Sequence, residues 1–428
     1  MEQLMQYIWQ HRLLPTCGLT TVDGETLNII DPGRLNTDSG PDFFNAKVRI
    51  GKRVWAGDVE IHVRASDWHR HGHDGDPAYE SVILHVVNRD DTMIKRGNGE
   101  VIPQLLMECN PRFSEDYARF VGVSSTQLPC AERIMSLPRL KVYDWLDALA
   151  YERIHDKVER IDTLLRSLSG NWEETCFVTV ARALGMGLNS EPFERTARSV
   201  SLKILRKHSD SLVDLEAILM GQGGLLDRAP GNDLYAGELR ARYRFMATKF
   251  DLAQPRPMIW KMSRMRPHNL PYRRMAFLAT MLYGGFRMLN DIVHTETVDD
   301  AESLFRHELQ GYWATRYTFG PMTEHATPSL GKSAIRTLII NAVAPLMAAY
   351  GINHGDTPLL ERAATILQAL PPEKNRLTEM FTATGIPVKD AFTTQALIQL
   401  RRAYCEPHKC LYCRFGHPIL ADKATGKT

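Results

Sequence analysis

The hydrophobic period of this chain changes once, from two to about 3.6, near Leu140. That change imposes two architectures on one polypeptide. Alternation puts every second residue on one face of a strand, whereas gaps of three to four build one face of a helix. Before the change, residues 45–50, 54–64 and the run Val82-Ile83-Leu84-His85-Val86-Val87 read as strands, the first two joined by a Gly51-Lys52-Arg53 turn. Residues 19–22 and 27–30 flank Asp23-Gly24, a hairpin signal, and Pro32-Gly33 ends that ribbon. Leu4, Ile8 and Leu13 mark a leading helix, and residues 101–106 a last short strand. After the change, Val142, Leu146, Leu149, Ile154, Val158, Ile161 and Leu165 recur at helical gaps behind Ser136 and Pro138. The pattern runs to about Tyr404, with breaks at Pro255 to Pro257, Pro267 to Pro271, Gly284-Gly285 and Pro371-Pro372.

The expected fold class is α+β. Residues 1–128 form a head of one helix and a mixed, mostly antiparallel sheet; residues 129–404 form an all-α body; residues 405–428 form a cysteine-bearing tail. A chain of 428 residues that is 44% hydrophobic can bury the cores this layout requires. The opening residues mix Glu2, Gln3, Gln6, Gln10, His11 and Arg12 among apolar positions, so no secretory leader is expected and the reading is cytoplasmic. Residues 338–350 are apolar but interrupted by Asn341 and Pro345, which suits a kinked core helix better than a membrane span.

Within the head, Gly40-Pro41-Asp42 precedes one hairpin arm and Gly57-Asp58-Val59-Glu60-Ile61-His62 lies on the next. Alternation lines up Asp58, Glu60 and His62 on one face and Val59, Ile61 and Val63 on the other. Two carboxylates on one strand face repel unless a cation or solvent compensates. With Asp42 from the preceding turn they make an oxygen-donor set for Mg²⁺ or Mn²⁺, an ion that polarises a phosphodiester and acidifies an attacking water.

These residues resemble the PD-(D/E)XK nuclease superfamily, whose core is a helix and a small mixed sheet. The resemblance implies a restriction-endonuclease-like head in which Asp42 and Glu60, or Asp42 and Asp58, bind metal. A lysine usually stands two residues after the second acid; here that position holds His62, or Glu60 in the other register, and Lys47 on the adjacent strand is the alternative cation. A longer set of stretches resembles an uncharacterised bacterial family, a domain of unknown function. They are Gly40 to Phe43 with Asn45-Ala46, Trp55 to His62, Ser66-Asp67-Trp68, Val82 to Val87, Asn341 to Gly351 and Cys405 to Gly416.

Three further clusters carry chemistry. Ser66 to Asp74 packs His69, His71 and His73 beside Asp67 and Asp74, a donor set for zinc or another transition metal, or a support for the carboxylate site. Cys405-x4-Cys410-x2-Cys413 has the spacing of three ligands of a plant-type iron–sulfur site, and zinc accepts similar spacings. Cys130 is the expected fourth ligand, with Cys17, His408 and His417 as alternatives. Several nucleases of the resembling superfamily carry such a four-cysteine iron–sulfur staple. Finally, residues 239–290 hold eleven Lys or Arg against Asp251 alone, and Arg264, Arg266, Tyr272, Arg273 and Arg274 have the composition of a phosphate-tracking surface.

The leading expectation is a metal-dependent nuclease acting on DNA, with RNA open, in which Asp42, Asp58 and Glu60 hold the metal and His62 or Lys47 serves the water. One alternative is a catalytically degenerate nucleic-acid-binding or assembly protein. Another is a zinc-dependent hydrolase using His69, His71 and His73.

Overall fold

A computed structural model describes the chain except residues 13, 15–17, 37, 109–114, 116, 119–127, 254–257, 325 and 420–428. Cys17 therefore lies outside the described residues. The chain divides into two compact units: Met1–Trp145 with Ala383–Ile386 and Leu400–Thr428, and Leu146–Thr382 with Pro387–Gln399. The described part of the expected tail belongs to the first unit.

That first unit combines helix α1 (Glu2–Gln10) with a six-stranded sheet. The strands are β1 (Leu27–Asp31), β2 (Arg34–Leu35), β3 (Phe43–Ile50), β4 (Arg53–Arg64), β5 (Val82–Arg89) and β6 (Gln104–Leu106). Their order is β1-β3-β4-β5-β6, with β2 also pairing β3. Strands β1, β2 and β4 run antiparallel to β3, but β5 runs parallel to β4 and β6 parallel to β5. The sheet is thus more parallel than alternation alone suggested. The chain between β4 and β5 holds a short helix α2 (Asp67–Arg70) and returns as a crossover, not a hairpin. An isolated bridge between Thr21 and Leu105 covers the outer edge of β6.

One sheet face is apolar. Val48, Val59, Ile61, Leu84, Val86 and Leu105 pack with Leu4, Met5, Tyr7 and Ile8 of α1, and Cys410 and Leu411 join the same core. Strand β5 is buried from Val82 to Val87, as expected of a parallel strand covered on both sides. Gly57 is required where β4 meets β5, since a Cβ there would stand 2.4 Å from Ile83 Cγ2 and 2.6 Å from Ser81 O. The other face carries polar side chains, and Trp68 of α2 seals it by packing on Val82, Ile94 and Ile102.

The second unit is helical. One element, Lys332–His354, is long and apolar enough by length and composition to cross a membrane, yet 72% of its apolar window is buried within the protein. Pro345 has no N–H and its ring crowds the carbonyl four residues back, so the helix widens to a π turn at Ile339–Val343. The Lys157 ammonium takes up what the wider turn frees, donating to Ile340 O at 2.9 Å and to Asn341 Oδ1 at 3.2 Å.

The basic segment does not form a continuous charged surface. Arg273 and Arg274, expected to track phosphates, are 4% and 1% exposed. Arg273 donates to the carbonyls of Trp313, Arg316 and Thr327, and Arg274 to Asn269 Oδ1. Tyr272 is buried and stacks on Trp313. Arg240 donates to Leu226 O and Ala229 O, and Arg242 pairs with Asp214 and Glu238. Arg264 and Arg266 are exposed. Much of the segment's charge thus serves interior carbonyls and local acids, partners that composition cannot reveal.

Candidate metal centre

The site grows from the start of β3. The Asn36 side chain donates to Ser39 O and Pro41 O, and its N–H donates to Asp42 O at 2.8 Å, so the Gly40-Pro41 turn delivers Asp42 against β4. There the N–H of Asp42 donates to Glu60 Oε2 at 2.9 Å and the N–H of Ile61 donates to Asp42 Oδ2 at 3.0 Å. Gln6 Nε2, from α1, donates to Asp42 Oδ1 at 2.9 Å. Burial raises both acids' pKa values, and each gains a further rise from neighbouring acids: Glu60 from Asp42, and both from Glu2.

Imidazoles close the other side. Glu60 Oε1 lies 3.4 Å from His62 Nε2 and 3.4 Å from His73 Nε2. His62 Nε2 is also 3.1 Å from His71 Nδ1, and His62 Nδ1 is 2.9 Å from His85 Nε2. Burial, reinforced by the neighbouring rings, lowers His62 to about 2 and His85 to about 3, so both are neutral at physiological pH. His73 is lowered too, mainly by burial, and its Nε2 is buried without a hydrogen-bond partner.

The local sequence explains this convergence. Trp68 is 1% exposed and anchors the crossover, with its ring edge-on to those of His62, His73 and His85. Gly72 takes φ +78° between His71 and His73, a turn that lets both rings fold back onto β4. His73 stacks on Tyr79 at 3.8 Å between ring centroids.

The arrangement fits a metal ion. Two ligands about 2.0–2.1 Å from one tetrahedral ion stand about 3.3–3.4 Å apart, close to the 3.4 Å from Glu60 to His62 and to His73 and the 3.1 Å from His62 to His71. Among the described residues, His62, His71 and His73 are the trio of candidate donors whose ligand atoms all lie within 4.8 Å of one another. Desolvated acids facing imidazoles, with a buried His73 nitrogen that lacks a hydrogen-bond partner, form a donor set that a cation would suit. Nitrogen with carboxylate oxygen suits Mn²⁺, Fe²⁺ or Zn²⁺ better than Mg²⁺. His85, on the far nitrogen of His62, stands where a ligating imidazole finds its orienting partner.

Not every expected residue converges. Asp58 Oδ1 accepts the N–H of Asn45 at 2.9 Å and Oδ2 accepts the Ser81 hydroxyl at 2.6 Å. Asn45 holds φ +56° inside the β3 bulge, so Asp58 pins the kink next to Asp42. Lys47 is exposed and opposite Ala56, roughly 13 Å along β4 from Glu60 at strand rise. His69 turns outward to Asp74 at 2.5 Å.

The family described as "Protein of unknown function (DUF2851)" matches residues 2–376. The chain belongs to that family. No curated protein and no solved structure matches it. For this DUF2851 member the site must therefore be read from its own residues. Sequence reasoning missed three of them: Glu2, Gln6 and His85. Glu2 and Gln6 are the i, i+4 polar pair on a helix otherwise buried along Leu4, Met5, Tyr7 and Ile8. His85 is the one ionisable residue in the run from Val82 to Val87.

Proposed function

We propose that this protein is a metal-dependent nuclease that hydrolyses phosphodiester bonds of DNA, with Asp42, Glu60, His62, His71 and His73 around the ion. The observation that carries the reading is the pairing of half-buried Asp42 and buried Glu60 through main-chain N–H groups, beside three imidazoles. When bound, a divalent ion would lower the pKa of a water and polarise the phosphoryl oxygen. His85, 2.9 Å from His62 Nδ1, would orient that ring toward the ion.

Two observations favour a phosphodiester over other substrates. Pro41-Asp42 and Glu60 keep the order of the resembling nuclease pattern, with His62 in place of its lysine, on a unit of one helix and a mixed sheet. Lys47 and Arg49 are exposed on β3, opposite Ala56 and Val54, on the side of the sheet that carries Asp58. A polyanion entering from that side would meet them before the acids.

A second reading, a zinc hydrolase of a different ester or amide, is favoured by the histidine trio alone. The deciding experiment incubates full-length protein with single- and double-stranded DNA and RNA under Mn²⁺, Mg²⁺ or Zn²⁺, alongside Glu60→Gln and His73→Ala. Cleavage strongest with Mn²⁺ and lost in both variants is expected. Cleavage unchanged in both variants would end the nuclease reading. Zinc-dependent hydrolysis of simple esters without nucleic-acid cleavage would favour the second.

A further inference from the structure

We infer that Cys130, Cys405, Cys410 and Cys413 bind an iron–sulfur cluster, a centre separate from the histidine–carboxylate site and independent of the hydrolytic reading. All four belong to the first unit. Cys410 and Cys413 are 8% and 6% exposed, and Cys130 and Cys405 are partly buried. None is in a disulfide.

The local backbone is shaped for metal thiolates. The N–H of Cys413 donates to Cys410 O at 3.3 Å, closing the two-residue step between them. The N–H groups of Phe415 and Gly416 both point at Cys413 Sγ, the donors that hold a thiolate in a metal-binding turn. Gly416 cannot be another residue without movement, because a Cβ there would stand 2.2 Å from Cys410 O. On the opposing side, the N–H groups of Arg133 and Ile134 donate to Cys130 O at 3.0 and 2.9 Å, and Arg133 Nη1 donates to Ile419 O at 3.1 Å. The turn bearing Cys130 is thereby tied to the segment bearing Cys410 and Cys413.

The four thiols lie near one another. Cys405 is within electrostatic reach of Cys413, Cys130 and Cys410, and Cys130 within reach of Cys413 and Cys410. His417, an alternative ligand, instead contacts the rings of Tyr7 and His11.

Spacing separates a cluster from a single ion. Four sulfurs about 2.3 Å from one tetrahedral zinc stand about 3.8 Å apart. Among the described residues, the histidine trio is the group of three or more donors within 4.8 Å of one another, and no three of these sulfurs close to that distance. A cluster carrying several irons holds its thiolates further apart than one ion does. Sulfurs spaced beyond the reach of one zinc suit a cluster of several irons better.

Full-length protein purified without oxygen should carry about four irons and four acid-labile sulfides per chain, if the cluster is cubane. It should also show the broad visible absorption of iron–sulfide charge transfer, bleached by dithionite. Cys130→Ser and Cys413→Ser should each lose most of the iron and sulfide, whereas Cys17→Ser and Cys176→Ser retain both. If Cys413→Ser does not fold, metal content of the wild type and of Cys130→Ser still decides. One zinc per chain without sulfide would overturn the cluster. Retention in Cys130→Ser with loss in Cys17→Ser would overturn the ligand set, and wild type without metal would overturn the site.

Discussion

Asp42 and Glu60 bind each other through main-chain groups: the N–H of Asp42 donates to Glu60 Oε2, and the N–H beside Glu60 donates to Asp42 Oδ2. The acids are held close while their like charges oppose ionisation. This geometry sets their titration and their appetite for a cation.

Without metal, Glu60 keeps its proton to higher pH in the folded state than in the unfolded chain, because burial and Asp42 raise its pKa. Stability must then fall as pH rises past the ordinary carboxyl range. Glu60→Gln stays neutral, so in EDTA it should be more stable than wild type at pH 8, by roughly 1–3 kcal/mol, with a flatter pH dependence. Denaturant titrations from pH 5 to 9 check this. A parallel slope in variant and wild type would refute it.

Added Mn²⁺ or Zn²⁺ should raise the melting temperature, by the equivalent of about 2.7 kcal/mol at a hundred times Kd. His62→Ala and His73→Ala should abolish the rise, and His69→Ala should leave it intact, since His69 pairs with Asp74. Thermal melts with and without metal distinguish these outcomes.

Asp58 is a positioning residue in this geometry. Asp58→Asn should weaken the hydrogen bonds to Asn45 and Ser81, lowering stability by about 1 kcal/mol while metal still binds. Asp42→Asn should reduce metal affinity much more. Metal titration by calorimetry separates the two variants; equal loss would place Asp58 among the ligands.

Arg273 and the β3 cations should behave differently. Arg273→Ala strands three carbonyls and should cost about 3 kcal/mol. At temperatures where it remains folded, its DNA affinity should match wild type. Lys47→Ala and Arg49→Ala should leave stability nearly unchanged and reduce the salt dependence of DNA binding by about one counterion each. Binding isotherms at several salt concentrations test both claims.

The strand–helix division was legible because hydrophobic period is a local signal, and so were the two acids and the cysteine spacing. The parallel pairing of β4 and β5 was not, because direction depends on the crossover at α2, whose anchor Trp68 looks like any aromatic in a loop. A support of the carboxylate site by the histidine turn was legible, but not that His73 would meet Glu60 and His71 meet His62 while His69 turns to Asp74. Arg273 and Arg274 misled because their partners are carbonyls some 40 or more residues away and an asparagine on the preceding turn. Charge counts do not show which charges are spent inside. Asp58 misled in a subtler way: strand alternation gave its face but not the bulge that claims its carboxylate.

Leu411, between Cys410 and Cys413, packs in the core that α1 and the sheet share. During synthesis, the ribosome therefore makes the whole helical unit before it makes residues that complete the unit begun at Met1. A partly made chain carries the acids and histidines but lacks the last pieces of their support.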